Sequence, residues 1–94
     1  MTSFFAEFVH TDSGFTCSDR GFRDISTAQQ CSSAVSYAKS FNSKAYYADE
    51  VSVTNKPKGC YILRQYGDMY FNTDPTGERS TSISSICWKG NTEF

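Results

Sequence analysis

Four cysteines within 94 residues, Cys17, Cys31, Cys60 and Cys87, constrain this chain more than any other feature. An even number in so short a chain is the pattern of a disulfide framework. A zinc site is the competing use of four thiols. Structural zinc ligands come in close pairs such as CxxC, whereas here successive cysteines stand 14, 29 and 27 residues apart and the only histidine is His10. The spacing predicts two disulfides, no metal and no cofactor. Disulfides in turn imply an oxidising compartment.

The length indicates a single domain over 1–94. A chain this short buries only about 60–65% of its unfolded surface, so its core is modest. Eight Phe, six Tyr and one Trp must supply much of that core. Nine basic and ten acidic residues leave a formal net charge of −1. That balance gives no electrostatic case for a nucleic-acid or anionic-membrane partner. No apolar stretch reaches the 18 residues of a membrane span. The start Thr2-Ser3-Phe4-Phe5-Ala6-Glu7 lacks the basic and apolar regions of a signal peptide. The expectation is a secreted or cell-surface protein whose leader is not part of this chain.

Residues 4–9, FFAEFV, are β-prone, with Phe4, Ala6 and Phe8 on one face. Phe15-Thr16-Cys17 reads as a short second strand. Ser26 and Gln29 have the spacing of a capping box. Ala28, Cys31, Ala34, Val35, Ala38 and Phe41 then recur at intervals of mostly three and four residues, which predicts a helix from Ser26 to about Phe41 with Cys31 on its buried stripe. Ala45–Val53 reads as strand, with Val51 and Val53 on one face. Pro57-Lys58-Gly59 and Asp74-Pro75-Thr76-Gly77 read as turns. Between them, Cys60–Tyr66 and Met69–Asn72 flank Gly67-Asp68, which suits a two-residue hairpin turn. That turn would set Tyr66 opposite Met69 and Arg64 opposite Phe71. Cys60, Ile62, Met69 and Phe71 then share one face; Tyr61, Leu63 and Tyr70 share the other, with Tyr61 and Tyr70 on a diagonal. A last strand near Ser82–Trp88 carries Cys87.

Four cysteines permit three connectivities. A packing argument favours one. Cys31 faces inward from the helix, and the hairpin that begins at Cys60 must be covered by that helix. Cys31–Cys60 follows, with Cys17–Cys87 as the outer bridge. The expected fold is α+β: one helix on an antiparallel sheet, stapled by two disulfides.

A helix cysteine bonded to a hairpin cysteine, with an outer pair joining the ends, resembles the PAN/apple domain. This chain has four cysteines where that family typically has six, and it lacks the second helix cysteine. Pro57–Tyr61 (PKGCY), Tyr70–Asn72 (YFN), Gly77 and Ile86–Cys87 also resemble cysteine-bearing modules of algal and protist secreted or surface proteins. Cys17, Ile25, Cys31, Ala34 and Ala38 match the same pattern, so the likeness covers 15–88. The PAN-like resemblance implies protein or carbohydrate binding outside the cell, and it carries over no catalytic residues.

His10 beside Thr11-Asp12-Ser13 invites a Ser–His–Asp reading, but triads are defined by geometry, and a solvent-exposed strand end is the plainer account. Asp49-Glu50 reads as a solvated strand start, and Asp12, Asp68 and Asp74 as turn residues. The aromatics are the remaining candidates. Tyr46, Tyr47, Tyr61, Tyr66, Tyr70 and Trp88 exceed what one helix can cover, and Tyr and Trp are enriched at interfaces. Tyr46, Tyr61, Tyr66, Tyr70 and Trp88 are the candidate binding surface; the plain alternative is that they line the loop-covered side of the sheet. Two functions follow. The first is a non-catalytic extracellular module that binds a protein or a glycan. The second is a structural subunit of a wall, appendage or filament, self-associating through β-strand contacts such as those of FFAEFV.

Overall fold

The computed structural model describes residues 8–89. They form an α+β fold with a six-stranded mixed sheet, two short helices and two disulfides. The strands are β1 (Phe8–His10), β2 (Arg23–Asp24), β3 (Tyr46–Val51), β4 (Gly59–Leu63), β5 (Asp68–Asn72) and β6 (Ile83–Trp88). Between β2 and β3 lie α1 (Ala28–Ser33) and α2 (Val35–Ala38). The spatial order is β1-β6-β4-β5-β3, with β2 also paired to β6. Asp24 of β2 pairs with Cys87, next in line after the Cys60–Ile86 pair, so β2 prolongs the β4 side of β6.

The helix begins one residue later than its sequence suggests. Thr27 is the N-cap, and its hydroxyl accepts the Gln30 N–H at 3.0 Å. Gln30 Oε1 in turn accepts the Ser26 N–H, so the reciprocal cap is built by Thr27 and Gln30 in place of Ser26 and Gln29. The single expected helix is also divided at Ala34, whose N–H is shared between the Gln30 and Cys31 carbonyls. Ser33 Oγ donates to the Gln29 carbonyl, a back-bond of the kind that bends helices. The apolar stripe survives the break: Cys31, Ala34 and Ala38 are buried, with Ala28, Val35 and Phe41 packed at the margins.

The sheet departs from the expected antiparallel arrangement at its edge, where β3 runs parallel to β5. The hairpin register also differs. Cys60 pairs with Phe71, Tyr61 with Tyr70 and Ile62 with Met69. The Leu63 carbonyl accepts the N–H groups of both Tyr66 and Gly67, so the chain turns over four residues, 64–67, and Gly67 takes φ +86°. The slip relative to the expected register is four residues. An even slip keeps every side chain on its face, so the two expected faces hold. Phe15–Cys17 is not a strand; the segment leads into a 3-10 turn at Ser18–Arg20. Val53 lies beyond β3, where the Asn72 side chain binds its backbone N–H and C=O. Of the FFAEFV run, Phe8 and Val9 lie in β1, antiparallel to β6, while Phe4 and Ala6 fall outside the described residues.

The main core fills the space between sheet and helices. Phe8, Cys60, Ile62, Met69, Phe71 and Ile86 meet Ile25, Cys31, Ala34 and Ala38 there. Cys31–Cys60 crosses this layer. Cys87 points to the opposite side of the sheet, where it bonds Cys17. Ile83 and Ser85 alternate onto that same side and are buried. The 73–82 connection spans from β5 to β6, and its Arg79 pairs with Asp19, so the two segments close over this half of the sheet. Thus one bridge pins the helix layer and the other pins the loop layer.

Candidate functional site

On the loop side of the sheet, β5 presents Asp68 and Tyr70 at alternate positions, and β3 presents Tyr46 and Asp49 beside them. The covering segments close over the β4–β6 half, and the rings grade from buried to exposed away from it. Tyr61, directly opposite Tyr70, is 3% exposed, and the two rings stack with centroids 5.5 Å apart. Tyr70 is half-buried, Tyr46 is 52% exposed and Tyr66, in the β4–β5 turn, is 63% exposed. Tyr61 is covered core, while Tyr46 and Tyr66 are open to solvent.

Two interactions hold Tyr70 within this surface. Tyr61 backs the ring of Tyr70, and the Tyr70 hydroxyl donates to Asp68 Oδ2 at 2.8 Å. Asp68 itself is only 8% exposed, and its Oδ1 is buried with no partner. The hydrogen bond to Asp68, then burial, pushes the Tyr70 phenol up to about 12. Burial, then the neighbouring Tyr70 and Asp68, pushes Tyr61 up to about 12 as well. Both phenols are therefore neutral donors across the physiological range. The negative charge of the surface comes from carboxylates. Asp49 Oδ1 accepts the Glu50 N–H at 2.7 Å, which ties that carboxylate against the sheet edge.

Trp88 does not join this group. It lies on the helix side, stacked on Phe8 with centroids 4.6 Å apart, and packs against the main core. Conversely, sequence reasoning passed over Asp68 and Asp49 as a turn residue and a solvated strand start. The available signal was the i, i+2 spacing of Asp68 and Tyr70, which puts a carboxylate and a phenol on one face of a strand.

His10 is not an exposed strand end. Its ring stacks on Phe41, with centroids 3.7 Å apart, and its Nδ1 lies 2.7 Å from the Tyr37 hydroxyl. Asp12 pairs with Arg20 instead, so these residues form no catalytic triad. All four cysteines are in disulfides, which suggests an oxidising environment. Among the described residues no three His, Cys, Asp or Glu side chains converge as a metal site, and no helix is long and apolar enough to cross a membrane.

A cleft of about 500 Å³ lies elsewhere, between the 3-10 turn and the 75–79 loop. Its Lys58 and Arg79 are occupied by Asp24 and Asp19, at 3.3 and 2.9 Å. The carboxylates of the tyrosine surface, by contrast, take part in none of the ion pairs among the described residues. No protein-family model, no curated protein and no solved structure matches the chain.

Proposed function

We propose that this domain is a non-catalytic recognition module that binds a protein or a glycan outside the cell through the loop-side face of β3 and β5. One observation carries the reading. Tyr70 is fixed by the Tyr61 ring behind it and by its bond to Asp68, while Tyr46 alongside is open to solvent. Rings held in place lose little side-chain entropy on binding, which is why rigid aromatics serve as anchors. The PAN/apple-like bridge arrangement supports the same class of function. The two disulfides are in keeping with a secreted or cell-surface location.

The alternative, a structural subunit joined through β-strands such as that of FFAEFV, would use the β1 edge; the opposite edge, β3, is poorly suited to it. That edge is interrupted by a bulge between Tyr47 and Asp49 and carries Asp49 and Glu50, features that blunt an edge against pairing with its own copies. Light scattering over a concentration series tests the two readings together with a glycan array and a panel of extended peptides. A concentration-independent monomer that binds a probe, with binding weakened in Tyr46→Ala, supports recognition. Concentration-dependent growth without probe binding supports the subunit.

A further inference from the structure

The recognition reading leaves the chemistry of the partner open, and the charges around Tyr46 and Tyr70 narrow it. Three ion pairs exist among the described residues: Arg20–Asp12, Lys58–Asp24 and Arg79–Asp19. None involves Asp49, Glu50 or Asp68, the three carboxylates of the β3–β5 edge. Lys44, two residues before β3, pairs with none of them. The protein as a whole is almost neutral, at −1. Among the described residues, no ion pair offsets the carboxylates at this edge.

Aromatic faces lie among these carboxylates. Tyr46 stands across from Asp68, and Asp49 across from Tyr70, on one face of two adjacent strands. Asp68 accepts the Tyr70 hydroxyl on Oδ2, while its buried Oδ1 has no partner among the described residues. A ring face attracts a cation through its quadrupole, and a carboxylate alongside adds Coulomb attraction. The same edge repels a second copy, which would bring Asp49 and Glu50 against their own kind. A neutral glycan would use the rings and leave the carboxylates unmatched in charge.

Resting on that reading, we infer that the Tyr46–Asp49–Asp68–Tyr70 surface docks an arginine- or lysine-bearing segment of a protein partner, with the cationic side chain against Tyr46 and Tyr70 and its charge facing Asp49.

The test uses the whole protein with three fluorescent peptides of one length: arginine-rich, lysine-rich and citrulline-rich, the last keeping arginine's shape without its charge. A glycan array runs in parallel. Two variants probe the site. Tyr46→Ala removes an exposed ring. Asp49→Asn removes the charge and keeps the oxygen that accepts the Glu50 N–H. Their unfolding midpoints, measured beside the parent, confirm that the fold is kept. The expected result is binding of the cationic peptides that weakens with salt, weakens about threefold to tenfold in each variant, and is absent for citrulline. Equal binding of citrulline, or cationic binding untouched by both variants, overturns the inference. Glycan binding lost in Tyr46→Ala, with no peptide bound, overturns the cationic class and leaves the recognition reading standing. No binding of any probe counts against both.

Discussion

Tyr61 and Tyr70 stand directly opposite each other on β4 and β5 with their rings stacked 5.5 Å apart, yet one is sealed in the protein and the other is half open to solvent. Both phenols are pushed up to about 12, mainly by burial for Tyr61 and by the bond to Asp68 for Tyr70. In the unfolded chain a tyrosine loses its proton near pH 10. The folded state holds these protons longer, so the associated stability is full below pH 10 and is lost as pH rises from 10 towards 12. For buried Tyr61 that loss is roughly 2–3 kcal/mol. Tyr61 and Tyr70 should be among the late-ionising groups in an ultraviolet phenolate titration, with Tyr37 and Tyr47 also delayed by burial, and urea midpoints should fall across the same window. Six tyrosines ionising together near pH 10 would contradict the packing of this pair.

The three rings Phe71, Tyr70 and Tyr46 should rank in stability by depth. Phe71 fills the helix-side core, and Phe71→Ala is expected to cost about 3–5 kcal/mol. Tyr70→Ala removes the donor to Asp68 and should cost about 1–3 kcal/mol. Tyr46→Ala should stay within about 0.5 kcal/mol of the parent. Urea midpoints of the three variants test the order. A large loss in Tyr46→Ala would show that the proposed contact surface is a structural one.

The faces of this sheet were legible in the sequence because they depend only on alternation, and alternation survives an even slip of register. Cys60, Ile62, Met69 and Phe71 could thus be grouped correctly from a turn that was placed wrongly. The register itself depends on Leu63 accepting two N–H groups and on Gly67, whose added Cβ would meet the Lys44 backbone at 2.6 Å. The approach of Gly67 to Lys44 is not written locally. The parallel β3–β5 pair was hidden for a similar reason: β4 separates the two strands in sequence, and β5 comes to lie between β3 and β4 in space. The disulfides were legible because the helix stripe fixed where Cys31 pointed. The candidate surface was half legible. Its tyrosines stood out by composition, while burial of Asp68 and exclusion of Trp88 depended on long-range packing.

His10 gives an acid-side counterpart. Burial, then Arg64, lowers its pKa below the ordinary 6.5, with Asp12 opposing. As pH falls below 6.5, the unfolded chain binds a proton before the folded one does. Stability present above that pH should therefore decline as pH drops through the lower folded value. The single histidine makes this readable by NMR titration beside urea midpoints at neutral and mildly acidic pH. His10→Phe keeps a ring against Phe41 and should flatten the pH dependence in this window. A histidine that titrates above 6.5 would reverse the sign and refute the packing of His10 between Tyr37 and Phe41.

The two bridges should differ in worth. Cys17–Cys87 closes a separation of 70 residues and Cys31–Cys60 one of 29. Chain entropy alone gives about 4.5 and about 3.5 kcal/mol respectively. The paired serine variants Cys17→Ser with Cys87→Ser, and Cys31→Ser with Cys60→Ser, should follow that order. Peptide mapping without reduction checks the pairing itself, and a Cys17–Cys31 peptide would overturn it.

Asn72 supplies the sharpest structural test. It is buried at the end of β5, and its amide nitrogen lies 2.8, 3.1 and 3.0 Å from the carbonyls of Val53, Lys56 and Pro57. Its Oδ1 accepts the N–H groups of Val53 and Asp74. One side chain therefore satisfies the backbone of the 52–58 connection, which must pass the end of β5 to reach β4. This also joins PKGCY to YFN physically, since Asn72 donates to Pro57, and it gives that pair of motifs a structural meaning. Asn72→Ala strips the buried Pro57 carbonyl and the half-buried Val53 backbone of this side-chain partner, while the Lys56 carbonyl keeps the Glu78 N–H, and is expected to cost about 2–3 kcal/mol. Asn72→Asp is nearly the same shape but points a carboxylate at three carbonyls, so at neutral pH it should be at least as damaging. Its deficit should shrink as pH falls, because a protonated carboxyl regains one donor. Comparing urea midpoints of parent, Asn72→Ala and Asn72→Asp at neutral and acidic pH separates loss of shape from loss of donors. An Asn72→Asp protein as stable as the parent at neutral pH would mean that the amide nitrogen does not hold the 52–58 connection.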